Sequence, residues 1–386
     1  MARGSVVSRG KNTWRIAVKL EPDPETGSRR QRWETFHGGK KDAEKRLTEL
    51  LADVDKGLLG VDPKATLAAY LGTWLQDYAS TLAPKTFASY QQYVRLYVVP
   101  HLGSVQLGKF TPSHVVRLLS ILRDAPRQDG REGKLSASTL SAVYRMLHTA
   151  LNCAVKWQLI SRNPADGADG PRVPRKEMKT FTVEQAQAFL AASEAEGLKW
   201  QTFFTLWLHA GSRPGELKAL RWTDVDLERG MVSVQQHAQR VRGVGRVVGQ
   251  PKTAGSRRPV ALGPDVVALL RRHRVEQNAR RLQMGPLWQD NGLVFPSEIG
   301  TILEDKRVHH TFQRVCDRAG VPRIRPYDLR HSSASLLLAA GVHPKIVAER
   351  LGHANVNLTL NTYSHVLPTL QQDAANTLEA MLRRAT

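Results

Sequence analysis

A segment that fits neither helix nor strand does most to constrain what this chain can fold into. Residues 163–179, NPADGADGPRVPRKEMK, are rich in Pro and Gly and carry no apolar period, and these two residues are the strongest interrupters of regular structure. The chain on either side must therefore bury its own apolar faces. At about 100–200 residues per domain, the 386 residues leave room for two or three such units. The expected division is a small domain over residues 1–60, a helical domain over 63–165, a linker over 166–179 and a third domain over 180–386.

Residues 14–20 (WRIAVKL) alternate with period two, a Pro/Asp/Gly turn segment follows, and residues 29–36 alternate again, which reads as a hairpin. Residues 41–56 then run helically, with Ala43, Leu47, Leu50, Leu51 and Val54 on one face. The hairpin carries Arg15, Lys19, Arg29, Arg30 and Arg32 beside Trp14 and Trp33. Such a ribbon can enter a DNA groove, or its charges can simply solvate a small sheet. Between 63 and 163 the pattern is helical throughout. Tyr70, Trp74 and Tyr78 share one face, Thr86 is expected to cap a second helix that stops at Pro100, Thr111-Pro112 to open a third, and Ser138 to open a fourth. At this spacing the tyrosines read as core. Thr182 and Gln185 have the spacing of a capping box, and residues 231–236 and 258–262 read as strands.

The charge narrows the partner. Fifty-six Lys and Arg against 35 Asp and Glu give a net charge of +21 and a pI near 10.3, which on a folded chain calls for a polyanion. Nucleic acid comes first and an anionic membrane second. No apolar run approaches the roughly 18 residues of a spanning helix, and MARGSVVSRG lacks the apolar stretch of a signal peptide, so no membrane partner and an intracellular location are expected. Residues 231–281 hold eleven Lys and Arg against two acids, a concentration that suits a phosphate-binding face. Arg240, Arg242, Arg246 and Arg257 are the DNA-contact candidates there. Cys153 and Cys316, the two cysteines, sit in apolar helical patterns and read as buried thiols. No nucleotide-binding glycine loop and no metal-ligand cluster stands out, so neither cofactor nor metal is expected.

What does stand out is a set of cations, one histidine and one tyrosine: Arg213 in HAGSRPGEL, Lys252 in PKTAGSRRPV, Arg330 in RPYDLRHSSAS, His353 in RLGHANVN and Tyr363 in LTLNTYSHV. Two guanidiniums can grip non-bridging phosphate oxygens and neutralise transition-state charge. A phenol can attack phosphorus, and a lysine can protonate a leaving oxygen. Taken singly, each has a plainer reading, an arginine on the surface or a tyrosine in a core.

In this order the motifs HAGSRPGELKALRWTDVDL, PKTAGSRRPV, YDLRHSSASLLLAAGV and ERLGHANVNLTLNTYSHV resemble the tyrosine recombinases, the phage integrase family, over residues 180–368. The helical domain over 63–165, through residues 86–115, looks like the family's core-binding domain, and the N-terminal hairpin and helix look like the arm-type DNA-binding domain of integrases from temperate phages and integrative elements. The implied fold is multidomain and mainly α with small β-sheets, ending in an α+β catalytic domain and a tail helix. The resemblance implies that Arg213, Lys252, Arg330 and His353 are catalytic, that Tyr363 is the nucleophile, and that Glu216 orients Arg213. Tyr327 stands where the family usually has a histidine. A phenol is a poor base at neutral pH, although it can still donate to a phosphate. His331, one residue beyond Arg330, reads as structural.

The resemblance further implies a site-specific recombinase that cleaves and rejoins DNA through a 3′-phosphotyrosine, integrating or excising a mobile element. It would act as a homotetramer on double-stranded attachment sites in the bacterial cytoplasm, with DNA-bending accessory proteins of host or element as further candidate partners. A type IB topoisomerase-like enzyme and a decayed basic DNA-binding protein are the alternatives. Leu367, Leu370, Ala374, Leu378, Met381 and Leu382 make one apolar stripe on the tail, which must pack on its own domain or on a neighbouring protomer.

Overall fold

The protein is described by a computed structural model over residues 4–19, 31–55, 65–78, 81–127, 132–174, 178–241, 243–249, 257–363 and 369–383. It divides into two compact units, Met1–Arg175 and Lys176–Thr386. No helix among the described residues is long and apolar enough to cross a membrane.

The first unit opens with an antiparallel sheet, β1 (Gly4–Gly10), β2 (Thr13–Lys19) and β3 (Gln31–His37), in that spatial order, followed by α1 (Lys40–Asp55). Alternation in β2 turns Ile16 and Val18 toward Ala43 and Leu50 of α1, and these four form a small core. The hairpin expected from the sequence is β2–β3, and β1 is an additional strand. Its sequence, GSVVSRG, is largely exposed; it is held by its backbone ladder to β2, so it leaves no apolar period to read.

Helices α2 (Leu67–Tyr78), α3 (Pro84–Tyr93), α4 (Val99–Leu102), α5 (Pro112–Asp124) and α6 (Ala137–Lys156) complete the unit. Three sequence expectations need correction. Helix α3 begins two residues before Thr86, because Pro84 occupies its first turn, where a missing N–H costs nothing. Pro100 does not end the helical path. The turn over Val94–Val98 widens to a π-helix, and Pro100 falls in the first turn of α4, where a missing N–H costs little. Helix α6 is capped by Ser136, whose hydroxyl accepts from the Thr139 N–H, and not by Ser138. Thr111-Pro112 opens α5 as expected, with the Thr111 hydroxyl and the His114 ring closing its first turn.

The apolar faces of these helices meet in one core that includes Tyr70, Trp74, Tyr97, Leu118, Met146 and Leu151. Trp74 lies between Tyr78 and Tyr90, with ring centroids 5.4 and 5.6 Å away, and the Tyr70 hydroxyl donates to the Ala150 carbonyl. Both cysteines are buried free thiols.

The second unit begins with α7 (Val183–Ser193), where Thr182 and Gln185 form the expected capping box, and α8 (Leu198–Ala210), which is buried along most of its length. After the short α9 (Pro214–Lys218) come β4 (Val225–Asp226), β5 (Met231–Val234), β6 (His237–Val241), β7 (Gly245–Gly249) and β8 (Arg258–Ala261). Strands β4, β5 and β8 make one antiparallel sheet. The β6–β7 hairpin, not expected from the sequence, fills the basic stretch between β5 and β8; its buried apolar residues, Ala238 and Val241, stand three positions apart and so follow no period of two. Then follow α10 (Pro264–Met284), α11 (Asp305–Ala319), α12 (Asp328–Ala339), α13 (Pro344–Leu351), α14 (Val356–Tyr363) and the tail helix α15 (Thr369–Arg383). Phe189, Phe203, Phe204, Trp207, Phe295 and Phe312 dominate the core. On the tail, Leu378, Met381 and Leu382 are 59%, 68% and 65% exposed, so in this structure they do not pack on their own unit. Leu367 lies outside the described residues.

Trp74→Ala should destabilise the first unit by about 3–5 kcal/mol, the cost of emptying a fully buried aromatic site. Urea denaturation followed by circular dichroism would measure it; a loss below 1 kcal/mol would mean that the site collapses freely.

Candidate active site

The site forms where three loops of the second unit meet α12. Helix α8 ends at Gly211 in the left-handed conformation, at φ +59°. There a Cβ would lie 2.6 Å from Leu351 Cδ2, so glycine is required both for the turn and for the close approach. The Trp207 indole N–H donates to the Ser212 carbonyl at 2.9 Å and fixes the loop that follows. This loop presents Arg213 as the N-cap of α9. Glu216, one turn on, accepts the Arg213 backbone N–H at 2.9 Å and its guanidinium at 2.6 Å.

Glu216 is buried and has a second cation. Arg258, on the inward face of β8, donates at 3.0 Å to Oε2, the oxygen that also accepts the Arg213 backbone N–H, and through Nε to the Arg350 carbonyl at 2.6 Å. Burial by itself raises the Glu216 carboxyl; Arg258 and Arg213 more than reverse this and hold it below its ordinary value. Arg350 in turn donates to the carbonyls of His209 and Ala261, tying α13 to the end of α8 and to β8. Neither Arg258 nor Arg350 was singled out from the sequence. Strand alternation is the signal that could have found Arg258, since Arg258 and Val260 face inward while Pro259 and Ala261 face out.

Arg330, in the first turn of α12, is only 1% exposed. It donates from Nη1 to the Gly211 carbonyl at 2.7 Å and from Nη2 to the Leu351 carbonyl at 2.8 Å. Burial, then the nearby Arg213, lowers its pKa to about 10, so it remains a cation at neutral pH. Helix α12 is held in place by the buried Asp328, which accepts from the Arg325 backbone and side chain, and by Ser332, which accepts the Phe181 N–H. Gly352 follows α13 at φ +69°, and its carbonyl faces Arg213 Nη2 at 3.4 Å.

His353 comes next. Its Nδ1 pairs with the Thr359 hydroxyl at 2.8 Å. Burial first, then Arg330, Arg213 and Arg258, lower its pKa to about 4. The ring is neutral at neutral pH, and if the Thr359 hydroxyl donates to Nδ1, Nε2 carries the hydrogen. Tyr363, at the end of α14, is 1% exposed, and its hydroxyl lies 2.7 Å from His331 Nδ1. Burial raises the phenol's pKa while Arg330 pulls it down. Tyr327 is 40% exposed, and its ring makes a T-shaped contact with that of His331, 5.2 Å between centroids. The structure thus brings Arg213, Arg330, His353, Tyr363 and Tyr327 together. It also gives His331, read from the sequence as structural, direct contact with the Tyr363 oxygen. Lys252 lies outside the described residues. Among these residues no group of three or more His, Cys, Asp or Glu could hold a metal.

The DNA-contact candidates are dispersed. Arg15 lies over the Trp33 ring, Lys19 ends β2, and Arg32 pairs in register with Val18. Arg240 and Arg246 oppose each other across the β6–β7 hairpin, where Arg246 is ion-paired to Glu304. Arg257 is exposed just before β8. Arg30 and Arg242 lie outside the described residues.

Residues 179–369 match the phage integrase family, and residues 66–122 match the N-terminal SAM-like domain of phage integrases. A protein of Caldanaerobacter subterraneus subsp. tengcongensis named tyrosine recombinase XerC-like is 30% identical, over 96% of this chain and 97% of its own. This chain belongs to the phage integrase family. Such tyrosine recombinases are enzymes that cleave and rejoin DNA. The fold agrees: the integrase of transposon Tn1549, solved with a circular intermediate DNA, superposes with a TM-score of 0.66 at 20% identity, over 81% of this chain and 99% of that one. The lambda integrase tetramer bound to a Holliday junction gives 0.53 at 16% identity, over 92% and 94%.

Because Glu216 depends on two cations, Arg258→Met should cost about 3–5 kcal/mol, the scale for breaking a buried pair from one side. A carboxylate held below its ordinary value stabilises the fold above its unfolded pKa, and that contribution is lost as pH falls through the folded value. The wild type should therefore lose stability on acidification below the ordinary glutamate range, and the variant should lose less. Urea midpoints at neutral and acid pH would measure both; an unchanged midpoint at neutral pH would contradict the pairing.

Proposed function

We propose that this recombinase uses Tyr363 as its nucleophile at a phosphate gripped by Arg213 and Arg330. The observation that carries this reading is the convergence of two guanidiniums, a neutral imidazole and a phenol on one place in the second unit. Arg213, with its side chain 36% exposed, is open to an incoming anion while Glu216 keeps its guanidinium oriented. Two of the five N–H donors of Arg330 are taken by carbonyls, which fixes the plane in which the others meet phosphate oxygens. His353, neutral, donates from Nε2 to a non-bridging oxygen. Both arginines stay charged as negative charge grows on the phosphoryl group, which is where preorganised donors lower a barrier most.

In the step itself the Tyr363 oxygen bonds to phosphorus and the bond from phosphorus to the 5′ oxygen breaks. A 3′-phosphotyrosine and a free 5′-hydroxyl result, with Lys252 supplying the leaving oxygen's proton. A phosphodiester is exchanged for another phosphodiester, so the bond energy is retained and attack by the 5′ end of a partner duplex needs no ATP. The buried position of Tyr363 means that its oxygen must be uncovered when DNA is engaged.

The substrate in this reading is a pair of double-stranded attachment sites, at which a mobile element is integrated or excised. The helical bundle of the first unit and the catalytic unit bind the core site, and the basic N-terminal sheet binds separate sites. Exchange between two duplexes requires four protomers, in keeping with the tetrameric state in which lambda integrase was solved. The exposed Leu378, Met381 and Leu382 supply an apolar contact for a neighbouring protomer.

On a nicked duplex that traps the covalent intermediate, the wild type should form a protein–DNA adduct and Tyr363→Phe none, with DNA affinity unchanged within a few fold. Adduct formed by Tyr363→Phe would exclude Tyr363 as the nucleophile.

A further inference from the structure

We infer that His331, and not Tyr327, takes the proton from Tyr363 as its oxygen attacks phosphorus. The inference rests on the reading of Tyr363 as nucleophile. A phenol oxygen cannot form a stable bond to phosphorus while it keeps its hydrogen, and the proton leaves most readily along a hydrogen bond already made. Tyr363 makes that bond to His331 Nδ1, at 2.7 Å. Tyr327 meets His331 in a T-shaped ring contact, 5.2 Å between centroids at an interplanar angle of 64°, and a phenol carries its own proton.

The setting keeps the imidazole able to accept. His331 follows Arg330 in α12, on the turn that would meet the phosphate, so an oxygen aligned for attack there stays near its ring. Burial lowers the His331 pKa, Asp328 opposes this, and Arg330 and Arg325 add to it. The other titratable groups around it are Tyr363 from α14, Tyr327 before α12 and His353 after α13. At neutral pH His331 is therefore neutral. Accepting from Tyr363 at Nδ1 assigns its hydrogen to Nε2.

The proton balance closes in both directions. On cleavage, the bond from Tyr363 to phosphorus forms, the phenolic proton passes to His331 Nδ1, and the 5′ oxygen leaves with a proton from Lys252. On rejoining, the 5′-hydroxyl attacks, its proton returns to Lys252, and His331 reprotonates the departing phenolate. No oxidant, reductant or co-reactant is needed.

The test is single-turnover cleavage of the nicked duplex across pH, with wild type, His331→Gln, His331→Ala and Tyr363→Phe of the full chain. Glutamine can accept a hydrogen bond from Tyr363 but cannot take its proton. The wild-type rate should fall on the acid side as His331 becomes protonated. His331→Gln should be about 100-fold slower or worse at neutral pH, the lower end of general-base contributions, and should lose that acid limb while binding DNA normally. Added imidazole should partly rescue His331→Ala. If His331→Gln cleaves within about threefold of wild type with the acid limb intact, or cleaves faster, His331 only holds the tyrosine and the inference falls, while a silent Tyr363→Phe leaves the nucleophile assignment standing. Adduct from Tyr363→Phe removes both. Should the variants fail to bind DNA, the wild-type profile decides: no acid limb near or below a pH of about 6.5, the ordinary histidine value, overturns the inference.

Discussion

The catalytic unit depends on one buried carboxylate. Glu216 is 3% exposed and sits between Arg213 and Arg258. A lone carboxylate there would be costly to desolvate, and a lone Arg258, buried on β8, equally so. Each makes the other tolerable, and the pair joins α9 to the central sheet. Arg258 then holds the Arg350 carbonyl, Arg350 holds the end of α8, and the turn after α13 supplies the carbonyls at Leu351 and Gly352 that meet Arg330 and Arg213. The cations that would meet DNA are thus set by backbone acceptors and one carboxylate, and little by their own side-chain preferences.

This arrangement has an electrostatic consequence for its neighbours. Burial first, and then the cations close by, penalise any further positive charge, so His353 and His331 are both held neutral. Neutral imidazoles can act as donor and acceptor at neutral pH, whereas imidazolium rings could only donate. Among those cations, Arg330 opposes the effect of burial on Tyr363. A basic cluster built to receive phosphate therefore also tunes the groups that handle protons around it.

Much of this was legible in the sequence, for physical reasons. The apolar periods of the helices, the capping box at Thr182 and the Pro at the start of α5 are local signals and need no tertiary context. Arg213, Arg330, His353 and Tyr363 each had a plainer reading taken singly and stood out because their motifs, in this order, resemble those of the phage integrase family; the structure brings them together. What was not legible depended on contacts across the fold. β1 is held by backbone pairing, which leaves no side-chain pattern. The Pro100 expectation failed because a π turn precedes it and Pro100 falls in the first turn of a new helix. Arg258 was passed over among many arginines, although the alternation of β8 turns it inward. His331 was set aside because adjacent helical residues diverge by about 100°, yet that direction is where α14 delivers Tyr363.

Arg330 is fixed by the protein before DNA arrives. Nitrogen-15 NMR of the arginine side chains in the DNA-free enzyme tests it most directly. A guanidinium held at Gly211 and Leu351 should give separate Nη signals with slow rotation about its Cζ–Nε bond and slow hydrogen exchange, little changed when DNA is added. A single averaged, rapidly exchanging Nη signal that sharpens into separate ones only with DNA would contradict it.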